Sequence, residues 1–196
     1  MLKLYSEKTA ETIIARFAPE IGEISERYAL PGAYLKAILF QEITQIDLLD
    51  VLADLLVQRN LRRGVSGPGP LQKSDSSTGY AQIFASVAIN AINFAADRGL
   101  TSYASLALPE DHRLDPVCLP DRHLVWERLH GDPVFNLTAA ALNLLSAAEE
   151  MTGRIDFPSY SPEETKLIFT RYNGTYREVS AYGEAAYKHY LRYLDT

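Results

Sequence analysis

Ala33-Tyr34-Leu35-Lys36-Ala37-Ile38-Leu39-Phe40-Gln41-Glu42 decides how this chain is read. Apart from Lys36, the stretch is apolar as far as Phe40, and Pro31 stands just ahead of it, where a first helical turn accepts proline. An apolar surround of that length predicts a helix buried on most of its circumference. The helix ends on two polar residues, Gln41 and Glu42.

Helical spacing continues on both sides of it. Upstream, Ile13, Ile14, Phe17, Ile21 and Ile24 recur on one side of residues 7–28, which predicts one or two amphipathic helices. Downstream, Ile46 to Val57 places leucines three and four residues apart with Asp47, Asp50 and Asp54 on the other face, a further amphipathic helix. Residues 59–77 change in composition: three arginines, then Ser66-Gly67-Pro68-Gly69-Pro70, then Ser74-Asp75-Ser76-Ser77, a loop. Tyr80 to Ala96 returns to helical spacing, and Leu100 to Leu108 is a short helix stopped by Pro109. Residues 111–121, broken by Pro116 and Pro120, read as irregular. Leu124 to His130, Asn136 to Met151, Pro162 to Arg171 and Glu178 to Leu194 are predicted helices, the last carrying tyrosines at 182, 187, 190 and 193. No alternating β-branched run stands out, so the class is all-α, with room for one small β-hairpin or an irregular loop at 59–78. No repeat or domain boundary is visible. The expectation is one domain over 1–196, with residues 1–27 as a helical extension of a 28–193 core.

An apolar fraction of 47% against 22% charged residues fits a folded globular chain. Nineteen Lys plus Arg against 25 Asp plus Glu give a net charge of -6, which argues against general binding to nucleic acid or anionic lipid and leaves room only for a local basic groove. Arg59, Arg62 and Arg63 read as a solvated face or as a contact for an anionic cell-wall polymer or peptide carboxylate. One cysteine allows no intramolecular disulfide and no cysteine-rich zinc site, and Cys118 is expected to be a small buried hydrophobe. His112, His123, His130 and His189 lack metal-site spacing, so neither metal nor cofactor is expected. No stretch reaches the roughly 18 apolar residues of a membrane span. The first residues lack the apolar core of a signal peptide, so the chain is expected to begin in the cytoplasm.

Glu42 has two local readings. A glutamate ending an apolar helix is ordinarily turned to solvent. Held against apolar walls, its carboxyl would instead keep its proton to higher pH, because desolvation disfavours the charged form, and could act as a general acid.

Three further segments bear on that choice: Ser77-Thr78-Gly79-Tyr80-Ala81-Gln82-Ile83; Asp132-Pro133-Val134-Phe135-Asn136-Leu137 with the alanine- and leucine-rich run after it; and Arg171-Tyr172-Asn173-Gly174 followed by Tyr182-Gly183-Glu184 to Tyr190. Together with residues 33–42, and in that order over residues 28 to 193, they resemble the motifs of the goose-type lysozyme and soluble lytic transglycosylase superfamily. The resemblance implies a lysozyme-like fold and cleavage of peptidoglycan glycan strands between N-acetylmuramic acid and N-acetylglucosamine, with Glu42 as the acid. It also implies that Gly79 lets the chain pass close to the sugar. Gln82 and the backbone near Tyr80 would bond the sugar beside the cut. Tyr172 would orient Glu42 or an acetamido group, presented by a turn at Asn173 and Gly174.

The chain departs from that pattern in places. Ile43 stands where serine usually follows the glutamate, Tyr80-Ala81 where leucine-methionine is common, and the Glu42–Gly79 interval is longer than usual. A second carboxylate, needed for a conventional hydrolase, is offered by Asp75, which reads equally as a helix cap. Without one, the resemblance implies that Glu42 draws a proton from the sugar's own C6 hydroxyl and leaves a 1,6-anhydro end. The alternatives are a lysozyme-fold protein that binds glycan or a protein partner without cutting, and a purely structural helical module. Action on the cell wall would require a phage holin, delivery through an injection or secretion machine, or a leader encoded in a longer chain.

Overall fold

The structure, a computed structural model, describes residues 3–67 and 69–194. Nine α-helices account for most of them: α1 (Glu7–Arg16), α2 (Ala18–Tyr28), α3 (Gly32–Gln45), α4 (Leu48–Arg62), α5 (Ala85–Asp97), α6 (Leu119–Gly131), α7 (Pro133–Thr152), α8 (Pro162–Asn173) and α9 (Ala181–Arg192). The all-α class is what the sequence predicts. No strand occurs among the described residues, only isolated bridges pairing Lys3 with Asp47 and Thr78 with Ile83. The described residues of 59–78 form no hairpin; they hold a 3₁₀ turn at Pro70–Gln72. No helix of the described residues is long and apolar enough to cross a membrane.

Two helices make the centre. In α3, Tyr34, Leu35, Ala37, Ile38, Leu39 and Ile43 are wholly buried and Phe40 nearly so, because α1, α2, α7 and α9 all pack against it. Inside that ring, Tyr34 bonds the Thr165 hydroxyl at 3.0 Å and meets the rings of Phe157 and Tyr190 at 4.8 and 4.7 Å. The other centre is α7, started by Asp132, whose side chain accepts from the Phe135 amide, with Pro133 in the first turn. Alanines 139, 140, 141 and 148 are buried, and their small side chains let α5 and α8 approach α7 closely. The same core includes Ala10, Ile14 and Phe17 from the first seventeen residues. From α2, Ile21 and Ile24 join them.

Several expected elements differ from those observed. Residues 80–84 are not helical: the turn at Gly79–Gln82 keeps α5 from starting before Ala85. The helix expected at 100–108 reduces to a 3₁₀ turn at Ala104–Leu106, and α6 begins at Leu119, inside the segment read as irregular. Cys118 is half-buried at the start of α6.

The largest difference is α4, which is turned the opposite way from a leucine-inward helix. Leu48, Leu49, Leu52 and Leu55 are 52–59% exposed, whereas Asp47 is buried and Asp54 lies against the protein. Hydrogen bonding gives the reason. Asp47 accepts from the amides of Leu49 and Asp50 as the helix cap. Asp54 accepts from the hydroxyls of Ser76 and Thr78 at 2.7 and 2.8 Å. The loop thus supplies partners to Asp54, and Val57 and Leu61 are buried on the side of the helix that seats it.

Candidate active site

A cleft of about 500 Å³ opens where α3, the N-terminal end of α4, α5, α7 and the end of α8 converge. Glu42 lies on it in the last turn of α3, with Asp50 on α4, Gln82 on the turn before α5, Asn143 on α7, and Tyr172 and Asn173 at the end of α8. The Glu42 carboxyl is pushed up to about 7, chiefly by burial, with the Asp50 charge adding to the rise and a hydrogen bond from the Tyr182 hydroxyl opposing it. A carboxyl in that position carries its proton into the neutral range and can donate it.

The four segments singled out in the sequence are held together by side-chain bonds. Asn136, wholly buried on α7, donates through Nδ2 to the Thr78 carbonyl at 3.0 Å and accepts from the Ala81 amide at 2.9 Å. One amide thereby clamps both sides of the Gly79 turn. The Tyr172 hydroxyl donates to the Ala81 carbonyl at 2.8 Å, tying α8 to the same turn. Tyr182, in the first turn of α9, donates to Glu42. Its position depends on Gly183, where a Cβ would lie 2.1 Å from Thr170 Oγ1 and 2.5 Å from the Lys166 carbonyl, so α9 can press on α8 only through glycine. Burial holds Tyr172 and Tyr182 well above the usual phenol range, so both remain donors.

The expected roles are redistributed by this geometry. Tyr172 touches the turn; the phenol on Glu42 is Tyr182, which also supplies the hydrogen bond that Ile43 cannot. Gly79 is required by packing: at φ +72°, a Cβ would come within 2.3 Å of Asn136 Nδ2 and 2.8 Å of the Leu129 carbonyl. Its close neighbours are protein, and it does not line the cleft. Tyr80 points away from the cleft, its ring 5.6 Å from that of Phe17. Gln82 does face the cleft, held at φ +43° by its own Nε2 donating to the Gly79 carbonyl and by Ser77 Oγ donating to its Oε1. Asn173 lines the cleft mouth, exposed.

No protein family, curated protein or solved structure matches this chain.

Asp75 does not reach the cleft. Its two carboxylate oxygens accept from the amides of Ala85 and Ser86, each at 2.9 Å, and so cap the N-terminus of α5. Of its two sequence readings, helix cap and water-activating base, the geometry corrects the second. The carboxylate nearest in effect to Glu42 is Asp50, whose Oδ2 accepts from the Asp47 amide. Asp50 reads in sequence as one of three aspartates on a solvated face, and nothing local distinguishes it. Asn143 is also silent in sequence: it is buried on the cleft wall with its Nδ2 unpartnered, a donor without a protein acceptor.

Proposed function

We propose that this protein cleaves the glycan strands of peptidoglycan, with Glu42 as general acid and, in a second step, general base. The observation that carries the reading is the Glu42 carboxyl on an open cleft, buried enough to keep its proton near neutral pH. A cleft of about 500 Å³ is of a size that takes part of an oligosaccharide. Gln82, Asn143 and Asn173 offer amide groups along it that suit hydroxyl and acetamido partners. The support is strengthened by the bonds among the four segments, because the turn bearing Gln82 and the tyrosine on Glu42 are both fixed relative to the acid.

In this reading the Glu42 proton passes to the glycosidic oxygen as the bond to the anomeric carbon breaks, and the resulting carboxylate then accepts a proton from the attacking hydroxyl. If that hydroxyl is the sugar's own C6 group, no second carboxylate is needed and the product carries a 1,6-anhydro end. If it is water, Asp50 is the carboxylate within the cleft that could hold it, and the product carries a reducing end.

The test is mass spectrometry of soluble products released from purified peptidoglycan sacculi by the wild-type protein and by Glu42→Gln. Muropeptides released by wild type alone are expected. Equal release by both proteins would remove Glu42 from the chemistry. No release by either, with the protein still pelleting on sacculi, would leave a glycan-binding protein.

A further inference from the structure

We propose that the outward face of α4 is a docking surface for an anionic lipid bilayer. Leu48, Leu49, Val51, Leu52 and Leu55 are 42–59% exposed there, on the first two turns of the helix. Large apolar side chains grouped on one exposed helix face mark an interaction surface, whereas scattered ones do not. Successive positions 48, 52, 55, 59 and 62 lie on one side of a helix, so Arg59 and Arg62, both exposed, continue the same stripe and exposed Arg63 flanks it. The stripe runs roughly 22 Å at the helical rise, apolar in its first half and cationic in its second. Asn60 Nδ2 donates to the carbonyls of Leu71 and Lys73 at 2.9 and 2.8 Å, which ties the segment carrying exposed Leu71 and Lys73 to the last turn of α4.

Charge decides which occupant fits. The three aspartates of α4's cap and body lie on its inner side: Asp47 buried in the cap, Asp50 on the cleft and Asp54 bonded to Ser76 and Thr78. Of α4's own side chains, the outer face therefore presents leucines and arginines without acids, although the chain as a whole carries -6. Remote acids are largely screened beyond about 10 Å at 0.1 M salt. A soluble polyanion would satisfy the arginines and leave the leucines in water. A second copy would bury the leucines and meet no acid on the same face to pair with its arginines. A bilayer with anionic headgroups accommodates both, taking the apolar half into the headgroup and acyl boundary and the cationic half among the phosphates. Because the inner side of α4 forms one wall of the cleft, docking would hold that cleft beside the membrane surface. Such docking requires no cleavage of glycan by this chain.

The experiment is co-sedimentation of the full chain with vesicles of phosphatidylglycerol and phosphatidylcholine, and with phosphatidylcholine alone, at low and raised salt. Two triple variants on the exposed face accompany it: Arg59→Gln with Arg62→Gln and Arg63→Gln, and Leu48→Ser with Leu52→Ser and Leu55→Ser. Wild type is expected to pellet with the anionic vesicles and to be released by salt. Each arginine contributes roughly a factor of five near an anionic surface, so the arginine variant should bind roughly a hundredfold more weakly. The leucine variant should cease to pellet while keeping its far-ultraviolet circular dichroism. Absence of binding to anionic vesicles would overturn the proposal. So would a leucine variant that binds as wild type does, which would mark a site for soluble polyanions. A wild-type dimer in sedimentation velocity that the leucine variant abolishes would assign the face to a second copy.

Discussion

Replacing Glu42 by glutamine tests the structure and the chemistry together. Burial raises the folded-state carboxyl from the ordinary 4.5 to about 7. Between those values the native chain holds a proton that the unfolded chain releases, so the native state binds more protons and the free energy of unfolding falls as pH rises. Below 4.5 both states are protonated and the group costs nothing; above 7 the full cost is present. At about 1.4 kcal/mol per pH unit, the rise amounts to about 3 kcal/mol. Glutamine keeps the shape and an acceptor for the Tyr182 hydroxyl, but never ionises. The Glu42→Gln protein should therefore match wild type near pH 4 and be more stable by about 3 kcal/mol at pH 8, an increase in Tm of roughly 6–12 °C for a chain of this size. Thermal unfolding of both proteins, followed by circular dichroism from pH 4 to 9, reads the difference directly. Asp54, which burial also raises, is common to both proteins and its contribution cancels. A Tm difference that does not change between pH 4 and pH 8, or a variant less stable at pH 8, would refute the claim that Glu42 is a half-buried carboxyl that holds its proton into the neutral range.

Tyr182→Phe removes the hydrogen bond that favours the charged form of Glu42. The alkaline limb of the pH profile for muropeptide release should then move to higher pH; an unmoved or lowered limb would contradict the assignment. Asp75→Ala should cost about 1 kcal/mol through loss of the α5 cap, a Tm decrease of roughly 2–4 °C, with product chemistry unchanged. A reproducible loss of turnover at full folding would return Asp75 to the reaction. Gly79→Ala should destabilise by about 3 kcal/mol or more, since it combines a left-handed φ with contact on Asn136 and the Leu129 carbonyl. A melting temperature within 1–2 °C of wild type, which corresponds to less than about 1 kcal/mol, would show that the turn relaxes freely.

Much of the helical content is legible in periodicity because α3 and α7 are long, strongly apolar and bounded by clear signals: Pro31 before one, Asp132-Pro133 before the other. Boundaries are lost where a tertiary bond overrides local preference. Residues 80–84 have helical spacing, yet the Tyr172 hydroxyl, 91 residues away, takes the Ala81 carbonyl and Asp75 takes the Ala85 and Ser86 amides, groups that an extended α5 would have paired along the helix. In the site, Glu42 is legible from the apolar helix that carries it, and Gln82, Tyr172 and Asn173 are legible only through the resemblance of their segments to the superfamily's motifs. Tyr182 and Asp50 are not. Tyr182 is one of four tyrosines at helical spacing in the last helix, and only the close α8–α9 crossing through Gly183 selects it to meet Glu42.

By itself, then, the chain determined an all-α architecture, the burial of a helix over 33–42, and a glutamate near the end of that helix, since these follow from composition and a 3.6-residue period within one segment. Tertiary structure decided which side of α4 faces inward, which phenol meets Glu42, and that Asp75 caps a helix while Asp50 shares the cleft. The physical reason is the same in each case. A buried carboxylate or amide goes where its hydrogen-bond partners are, and here those partners lie up to 140 residues away, beyond the reach of any local pattern.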